Sequence, residues 1–410
     1  MNYRNKFVLI LLSTVFVFYA VVGGLLGRVT AKEGAYSQLN VFNEVLSRIR
    51  SSYVEDPDLT EVMHGALRGL LESLDPYSTF LTRDEYERYR KHLTNGNGDL
   101  GLELSKERVL GYVYVIHPIE GAAANQAGVK AGDVIESIEG VSTRDISLVQ
   151  ASYLLTGEPG SPVKLKILRR GSSDPIELVV ARQPTKVPPV RTAMMEGRIG
   201  YLKVYRFLPG SGDEVKNKLT ALMKNGASKV ILDLRNCAGD TFEEATKVAN
   251  LFLDHGIIVY TQGQKSPRVE YVADPAKAIC KLPLVVLQNY GSAAAAEIVS
   301  AGIKENRRGE LVGVRTFGKA SLQKLIPLES EAAILLSTTK FYSQSGKVIQ
   351  GNGISPDHEV KDGLEAAQEF EGAEDSAPDS EAAPPSQEDL QLKKAIELLN
   401  TEAVEPRKAA

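Results

Sequence analysis

Ala127-Gly128-Val129-Lys130-Ala131-Gly132-Asp133-Val134-Ile135 reads as a glycine-bearing turn that runs straight into a strand. The glycines supply the tight reversal, and the aliphatic alternation over 133–138 supplies the strand. Working outward, residues 101–104, 111–116, 163–168 and 176–180 carry similar β-branched or aliphatic alternation, and 147–156 has the spacing of a short helix. The polar run Asn95-Gly96-Asn97-Gly98 bounds this β-rich block on one side and Pro188-Pro189 on the other. Residues 98–185 therefore read as one small domain.

On its carboxyl side, residues 186–362 alternate strand and helix. Strands are expected over 199–207, 229–234, 284–288 and 311–314, with amphipathic helices over 212–225 and 241–255. Phe242, Ala245, Val248, Ala249 and Phe252 share one face of the second helix. Such alternation predicts an α/β fold, a mostly parallel sheet covered by helices, with any site at the carboxyl ends of the strands. On the amino side, residues 32–97 read as a helical region. Val41, Val45, Ile49, Val62, Leu67, Leu70 and Leu71 recur at helical spacing over 39–88, Asp75-Pro76 interrupts them, and Thr82-Arg83-Asp84-Glu85 looks like a fresh start.

The two ends differ from this body. Arg4 and Lys6 precede residues 7–27, which hold no charge, and Arg28 closes the run. As a helix it spans about 31 Å, the thickness of a bilayer core. Residues 1–31 are accordingly expected to be a signal anchor, with the amino end cytoplasmic and the body extracytoplasmic. In a Gram-negative cell that means a periplasmic body tethered to the inner membrane; cleavage near Val29-Thr30-Ala31 would export it instead. Residues 363–410 read as an acidic, disordered tail with a short helix over 390–399. From Asp362 onward there are 13 acidic and 4 basic side chains, a balance of −9 that leaves the first 361 residues at +5 against a total of −4. No uniform basic field exists to hold nucleic acid. Five His, two Cys and no Cys-x-x-Cys or paired-His spacing argue against a zinc site.

Asp99-Leu100-Gly101-Leu102-Glu103-Leu104, the opening turn and Gly160-Ser161-Pro162-Val163 together resemble a PDZ domain. That resemblance implies that the Leu100, Gly101 and Leu102 amides hold a peptide's terminal carboxylate while the peptide adds as a strand to the sheet edge. Further on come Ile231-Leu232-Asp233-Leu234-Arg235-Asn236, Gly291-Ser292-Ala293, Glu297-Ile298-Val299, Thr316-Phe317-Gly318-Lys319 and the run from Tyr342 to Asp357. In that order they resemble the carboxyl-terminal processing peptidases, or tail-specific proteases, and the likeness covers residues 41–360. It implies a serine peptidase with a Ser/Lys dyad, a crotonase/ClpP-like αβ core, an inserted PDZ domain and an N-terminal helical segment. Protein or peptide C-termini are the implied substrates and no cofactor is implied. A homo-oligomer or an adaptor protein is a partner still open to it.

By family position Lys319 is the general base, and Gln323 orients it. A lysine acts as base near neutral pH only where burial lowers its pKa, which the tight Phe317-Gly318 turn is expected to favour. The family's nucleophilic serine falls on Ala294, in Gly291-Ser292-Ala293-Ala294-Ala295-Ala296-Glu297, so this chain lacks the attacking hydroxyl. A deliberate serine-to-alanine exchange and a natural pseudoprotease both account for it, and the retained Lys319 and Gln323 favour the former. Ser292, two residues early, is expected to cap the helix. The oxyanion hole is assigned to Gly239 and the Ala295 amide, although Asp240 stands where the family has a second glycine. Cys237 follows its strand and Cys280 precedes its own, which predicts two thiols if those strands are parallel neighbours.

Overall fold

The structure is a computed structural model, and it describes residues 14–15, 17–18, 35–92, 98–106, 111–172, 174–184, 190–361 and 389–401. The chain falls into two compact units, residues 1–67 and 68–410. The first holds helix α1 (Ala35–Ser52) and most of α2 (Leu59–Glu72). Within the uncharged run only residues 14, 15, 17 and 18 are described, all helical, so the expected membrane span lies outside the described residues. Among those, no helix is long and apolar enough to cross a membrane.

In the second unit, Asp75 ends the helical region. Its carboxylate accepts from the amides of Tyr77 and Ser78 at 2.8 and 2.9 Å and from the Ser78 hydroxyl. The chain then leaves as a strand, β1 (Thr79–Leu81), where the sequence reading places only a break between helices at Asp75-Pro76. That start is real. Thr82 and Glu85 exchange hydrogen bonds ahead of α3 (Arg83–His92), a capping box.

The β-rich block forms one antiparallel sheet of β2 (Leu102–Lys106), β3 (Val113–Pro118), β4 (Val134–Ile138), β5 (Val141–Ser142), β6 (Pro162–Leu168) and β7 (Ile176–Ala181), in the order β2-β3-β4-β6-β7 with β5 beside β4. Short α4 (Ala123–Gln126) and α5 (Leu148–Leu155) accompany it, the latter capped reciprocally by Ser147 and Gln150. Val115, Ile135, Val163 and Ile167 form its core. Among the described residues, β2 and β7 are the two edge strands of this sheet.

The remaining chain builds two sheets. One runs β17-β14-β13-β10-β9-β8: β9 (Ile199–Lys203), β10 (Lys229–Asp233), β13 (Leu284–Gln288), β14 (Glu310–Gly313) and β17 (His358–Glu359) are parallel, and β8 (Arg191–Met195) is antiparallel at the edge. One face packs on α6 (Ser211–Lys224), α7 (Phe242–Asn250) and α8 (Ala295–Glu305). The other sheet, β1-β16-β11-β12 with β15 on β16, comprises β11 (Ile257–Gln262), β12 (Val269–Val272), β15 (Ser321–Pro327) and β16 (Ala333–Tyr342), all antiparallel. The expected single parallel sheet thus has an antiparallel companion.

The last described segment, α9 (Leu390–Asn400), is not a solvated end. Ala395, Leu398 and Leu399 pack on Ile199, Ile231, Val285, Leu287 and Val312, closing the second face of the parallel sheet. Asp389 caps this helix and also pairs with Arg235 at 2.8 Å. The disorder expected over 363–388 lies outside the described residues. Truncating Leu399 to Ala should therefore lower the unfolding free energy by about 2–5 kcal/mol. A denaturant titration that finds the variant within error of the parent would show that the helix contributes nothing to the core.

Candidate active site

The carboxyl ends of β10, β13 and β14 feed three loops that converge on one cavity of about 80 Å³. Gly239, Asp240, Ala294, Ala295, Lys319 and Gln323 line it, with Phe242, Ile298, Leu322 and Phe341 as its apolar wall. All five residues assigned to the chemistry from the sequence are brought together there.

The loop after β13 is held from several sides. Ser292 is fully buried; its hydroxyl donates to the Leu234 carbonyl at 2.8 Å and accepts from the Asn289 amide at 3.0 Å. It staples two strand ends and does not cap the helix, which corrects the expected N-cap role. Gly291 has no room for a side chain, since a Cβ would lie 2.2 Å from Asn236 Oδ1. Ala294 occupies the cap position with φ 51° and ψ −114°. A non-glycine residue in that region costs about 1–3 kcal/mol, and a strained residue between a strand and a helix is the geometry that presents a nucleophile.

Glu297, one turn into α8, is fully buried and joins this elbow to the lysine loop. Its carboxylate accepts from the amides of Ala294 (3.0 Å), Gly318 (2.7 Å) and Lys319 (2.8 Å) and from the Thr316 hydroxyl (2.5 Å). Burial pushes its pKa up to about 7 against those donors.

Lys319 does not have the lowered pKa that the sequence reading requires. Burial pulls the ammonium down, but Glu103, Asp240 and Tyr77 together outweigh it, and the net direction is up. Lys319 Nζ lies 2.5 Å from Glu103 Oε1 and 3.8 Å from Asp240 Oδ1, with the Tyr77 ring 5.7 Å away. Glu103 comes from β2 of the PDZ sheet, and its side chain is only 4% exposed. Burial would raise its carboxyl, yet Lys319 and then Arg206 hold it down at about 2. Gln323 does not orient the lysine here. Its amide donates to Ser321 and to the Ser337 hydroxyl at 3.1 Å.

The oxyanion hole is closed on itself. The Ala295 amide, one of the two donors assigned to an oxyanion, already donates to the Gly239 carbonyl at 3.1 Å. Gly239 is irreplaceable in this loop, at φ 119° with a Cβ position 2.3 Å from the Phe207 carbonyl. A similar occupation affects the PDZ loop: the Gly101 amide, central among the three assigned to a peptide carboxylate, donates to Asp99 Oδ1 at 2.9 Å. Above the cavity, Ile116 of β3 packs on Ala238 and Ala293, and the Tyr114 and Phe317 rings stack at 6.3 Å. His117, paired opposite Glu103 in the β2–β3 ladder, is buried and driven down to about 4 by that burial. Cys237 and Cys280 are buried free thiols, and burial raises both.

Sequence reasoning missed Glu103, Arg206, His117, Glu297 and Thr316 as members of the site. Glu103 alternates with Leu102 and Leu104, a pattern that usually means a solvent-facing side chain. Glu103, Glu297 and Thr316 stand inside quoted motifs, whereas Arg206 and His117 left no local signal.

A family model described as Peptidase family S41 matches residues 198–360, and one described as PDZ domain matches residues 90–168. The chain is 34% identical to a carboxy-terminal-processing protease of Bartonella bacilliformis over 81% of its own length and 77% of the relative's. It is 30% identical to a carboxy-terminal processing protease of Bacillus subtilis over 84% and 73%. The solved photosystem II D1 C-terminal processing protease superposes with a TM-score of 0.67 at 27% identity, covering 78% of this chain and 92% of that one. With the α/β core, the PDZ sheet and the strained elbow in place, the chain belongs to peptidase family S41, among the PDZ-bearing carboxy-terminal processing proteases.

Proposed function

We propose that this chain is the scaffold of a tail-directed serine endopeptidase, silent as it stands because position 294 carries a methyl group. The observation that carries this reading is the 80 Å³ cavity, where the strained Ala294 elbow, the Ala295 amide and Lys319 meet at strand ends. A substrate tail docks along β2, its terminal carboxylate displacing Asp99 from the Gly101 amide and taking the Leu100 and Leu102 amides as well. The chain upstream of the tail reaches the cavity, where the apolar wall holds a side chain.

With serine at 294, neutral Lys319 takes the hydroxyl proton as oxygen attacks the scissile carbonyl. The oxyanion needs the Ala295 amide free. Turning the Gly239–Asp240 peptide plane removes the blocking carbonyl and brings the Asp240 N–H toward the same point. The lysine ammonium then protonates the leaving amine, and the same lysine activates the water that releases the acyl group. Gln323 takes over Lys319 once Glu103 lets go. A deliberate exchange at 294 accounts for a dead position inside an otherwise complete site. The alternative, a pseudoprotease that holds protein tails at a membrane, is favoured by Ala294 itself and requires alanine in the gene.

Restoring Ala294→Ser should give cleavage of unfolded proteins, and adding Lys319→Ala should then lower the rate on the order of 10³-fold. A restored protein that stays inactive across a broad peptide library would rule out the peptidase reading. We further propose that residues 7–27 tether the body to the inner membrane on its periplasmic side, on the strength of their uncharged length and the Arg4 and Lys6 flank. Full-length chain should pellet with membranes through an alkaline carbonate wash, whereas a chain starting at Glu33 should not. Recovery of the full-length chain in the wash would refute the tether.

A further inference from the structure

Lys319 is held by a residue that belongs to a different domain. Glu103 stands on β2, the edge strand on which the proposed function docks the substrate tail, and reaches Lys319 at 2.5 Å. Leu102 and Leu104, its neighbours, pack into the PDZ core, so Glu103 leaves the strand on the opposite face. The β2–β3 register shifts between Glu103 and Leu104, a bulge of the kind that re-aims a side chain.

A second cation waits beside the first. Arg206, just past β9 and bridged by its backbone to Ala238 of the oxyanion loop, has Nη2 3.6 Å from Glu103 Oε2, too far for a hydrogen bond. Its Nε is buried without a partner, and so is His117 Nδ1. An orphaned guanidinium donor beside a buried carboxylate marks a network that is satisfied in another arrangement.

We propose that Glu103 and Arg206 are positioning residues of the peptidase reaction: Glu103 holds Lys319 out of service while the PDZ edge is empty, and Arg206 takes Glu103 over when a tail pairs with β2. This rests on the peptidase reading of Lys319. Pairing a peptide with β2 loads the backbone that carries Glu103, and a small rotation at the bulge suffices to exchange a 2.5 Å partner for a 3.6 Å one. Arg206 can accept the carboxylate through Nε and Nη2 together, a bidentate fit that a lysine cannot offer. Lys319, then facing only Asp240 at 3.8 Å, the Tyr77 ring and the cavity, releases its proton to solvent and becomes the base. The Glu297 carboxylate contacts the Lys319 backbone amide, not its amine, and stays in place throughout.

Two measurements test this. In the chain as it stands, acylation of the Lys319 amine by an activated ester, read by peptide mass spectrometry at pH 7.5, should speed up about tenfold when a free-carboxylate tail peptide too short to reach the cavity is added. The same peptide with an amidated end should do little. In the Ala294→Ser background, a short internal peptide should be cut about tenfold faster by Glu103→Gln than by the parent, with the acid limb of kcat/KM moved to lower pH because the lysine loses the charge that keeps it protonated. Arg206→Gln should blunt stimulation by the tail peptide at unchanged tail affinity, and Arg206→Lys should restore it only in part. Lysine reactivity indifferent to the tail, or a Glu103→Gln variant with the parent's rate and pH profile, overturns the proposal. Should Glu103→Gln fail to fold, the acylation experiment on the unaltered chain decides alone. Because that experiment needs no catalysis, an inactive Ala294→Ser protein would count against the peptidase reading and leave the exchange of partners separately measured.

Discussion

One buried carboxylate fixes the relation between the two halves of the catalytic apparatus. Glu297 receives the Ala294 amide from the elbow and the Gly318 and Lys319 amides and Thr316 hydroxyl from the loop after β14. These loops leave neighbouring parallel strands, β13 and β14, and have no strand hydrogen bonds of their own beyond the sheet. The Phe317 amide donates across them to the Ser292 carbonyl, and Glu297 adds one acceptor for four converging donors. Leaving even one such donor unpaired in a dry interior costs about 1–3 kcal/mol. The position of Glu297 on the first turn of α8 adds the favourable end of the helix dipole. On the peptidase reading, nucleophile position and base are thus held together by a residue that takes no part in proton transfer.

Around that fixed node the movable parts all stand in one direction. Lys319 is paired with Glu103, the Ala295 amide with the Gly239 carbonyl, and the Gly101 amide with Asp99. Each pairing satisfies a group that catalysis or tail binding would need free. The PDZ strand β3 seals the arrangement with Ile116 against Ala238 and Ala293. On the peptidase reading this is a closed state, held because Lys319, the Ala295 amide and the Gly101 amide each have an internal acceptor. Breaking a buried ion pair by removing one partner costs about 3–5 kcal/mol, so an opening that left Glu103 alone would scarcely be populated. A second cation nearby is what makes such an opening reachable.

The parts of the fold legible in the sequence are those whose period matches their burial. Strands β10 and β13 are apolar runs buried on both faces, and α7 presents one apolar stripe, so each reads as what it is. The antiparallel companion sheet was illegible because β15 and β16 are half-buried along most of their length and carry no clean alternation. Strand β1 hid behind Asp75, whose side chain replaces backbone partners to end a helix that the apolar spacing alone would continue. In the site, the residues that line the cavity were found, and the charged or polar groups that hold them from behind, Glu103, Arg206 and Glu297, were not. No spacing rule links Glu103 to a lysine 216 positions later. The lysine's environment was misjudged for the same reason: a buried amine was expected to meet only apolar neighbours, and it meets a carboxylate.

Position 294 itself shows which features are kept by packing and which by chemistry. The backbone there is strained in the way a nucleophile elbow is, yet the side chain has nothing to present. The strain persists because neighbouring contacts demand it. The Ala293 amide donates to the Cys237 carbonyl, the Ala295 amide to Gly239, and the Ala294 amide to Glu297. Two of these amides reach the loop after β10 and the third reaches the first turn of α8, and the positive φ at 294 turns the chain between them. None of these bonds involves a side chain at 294, so the elbow holds its shape whether that position carries alanine or serine. An intact fold around Ala294 is consequently no evidence about how the alanine arose. The charged groups are more informative. Glu103 and Lys319 would be better replaced by apolar residues if stability were the only demand on a buried pair, since such a pair rarely outperforms well-packed hydrophobics. Their presence is what a site built to move a proton requires.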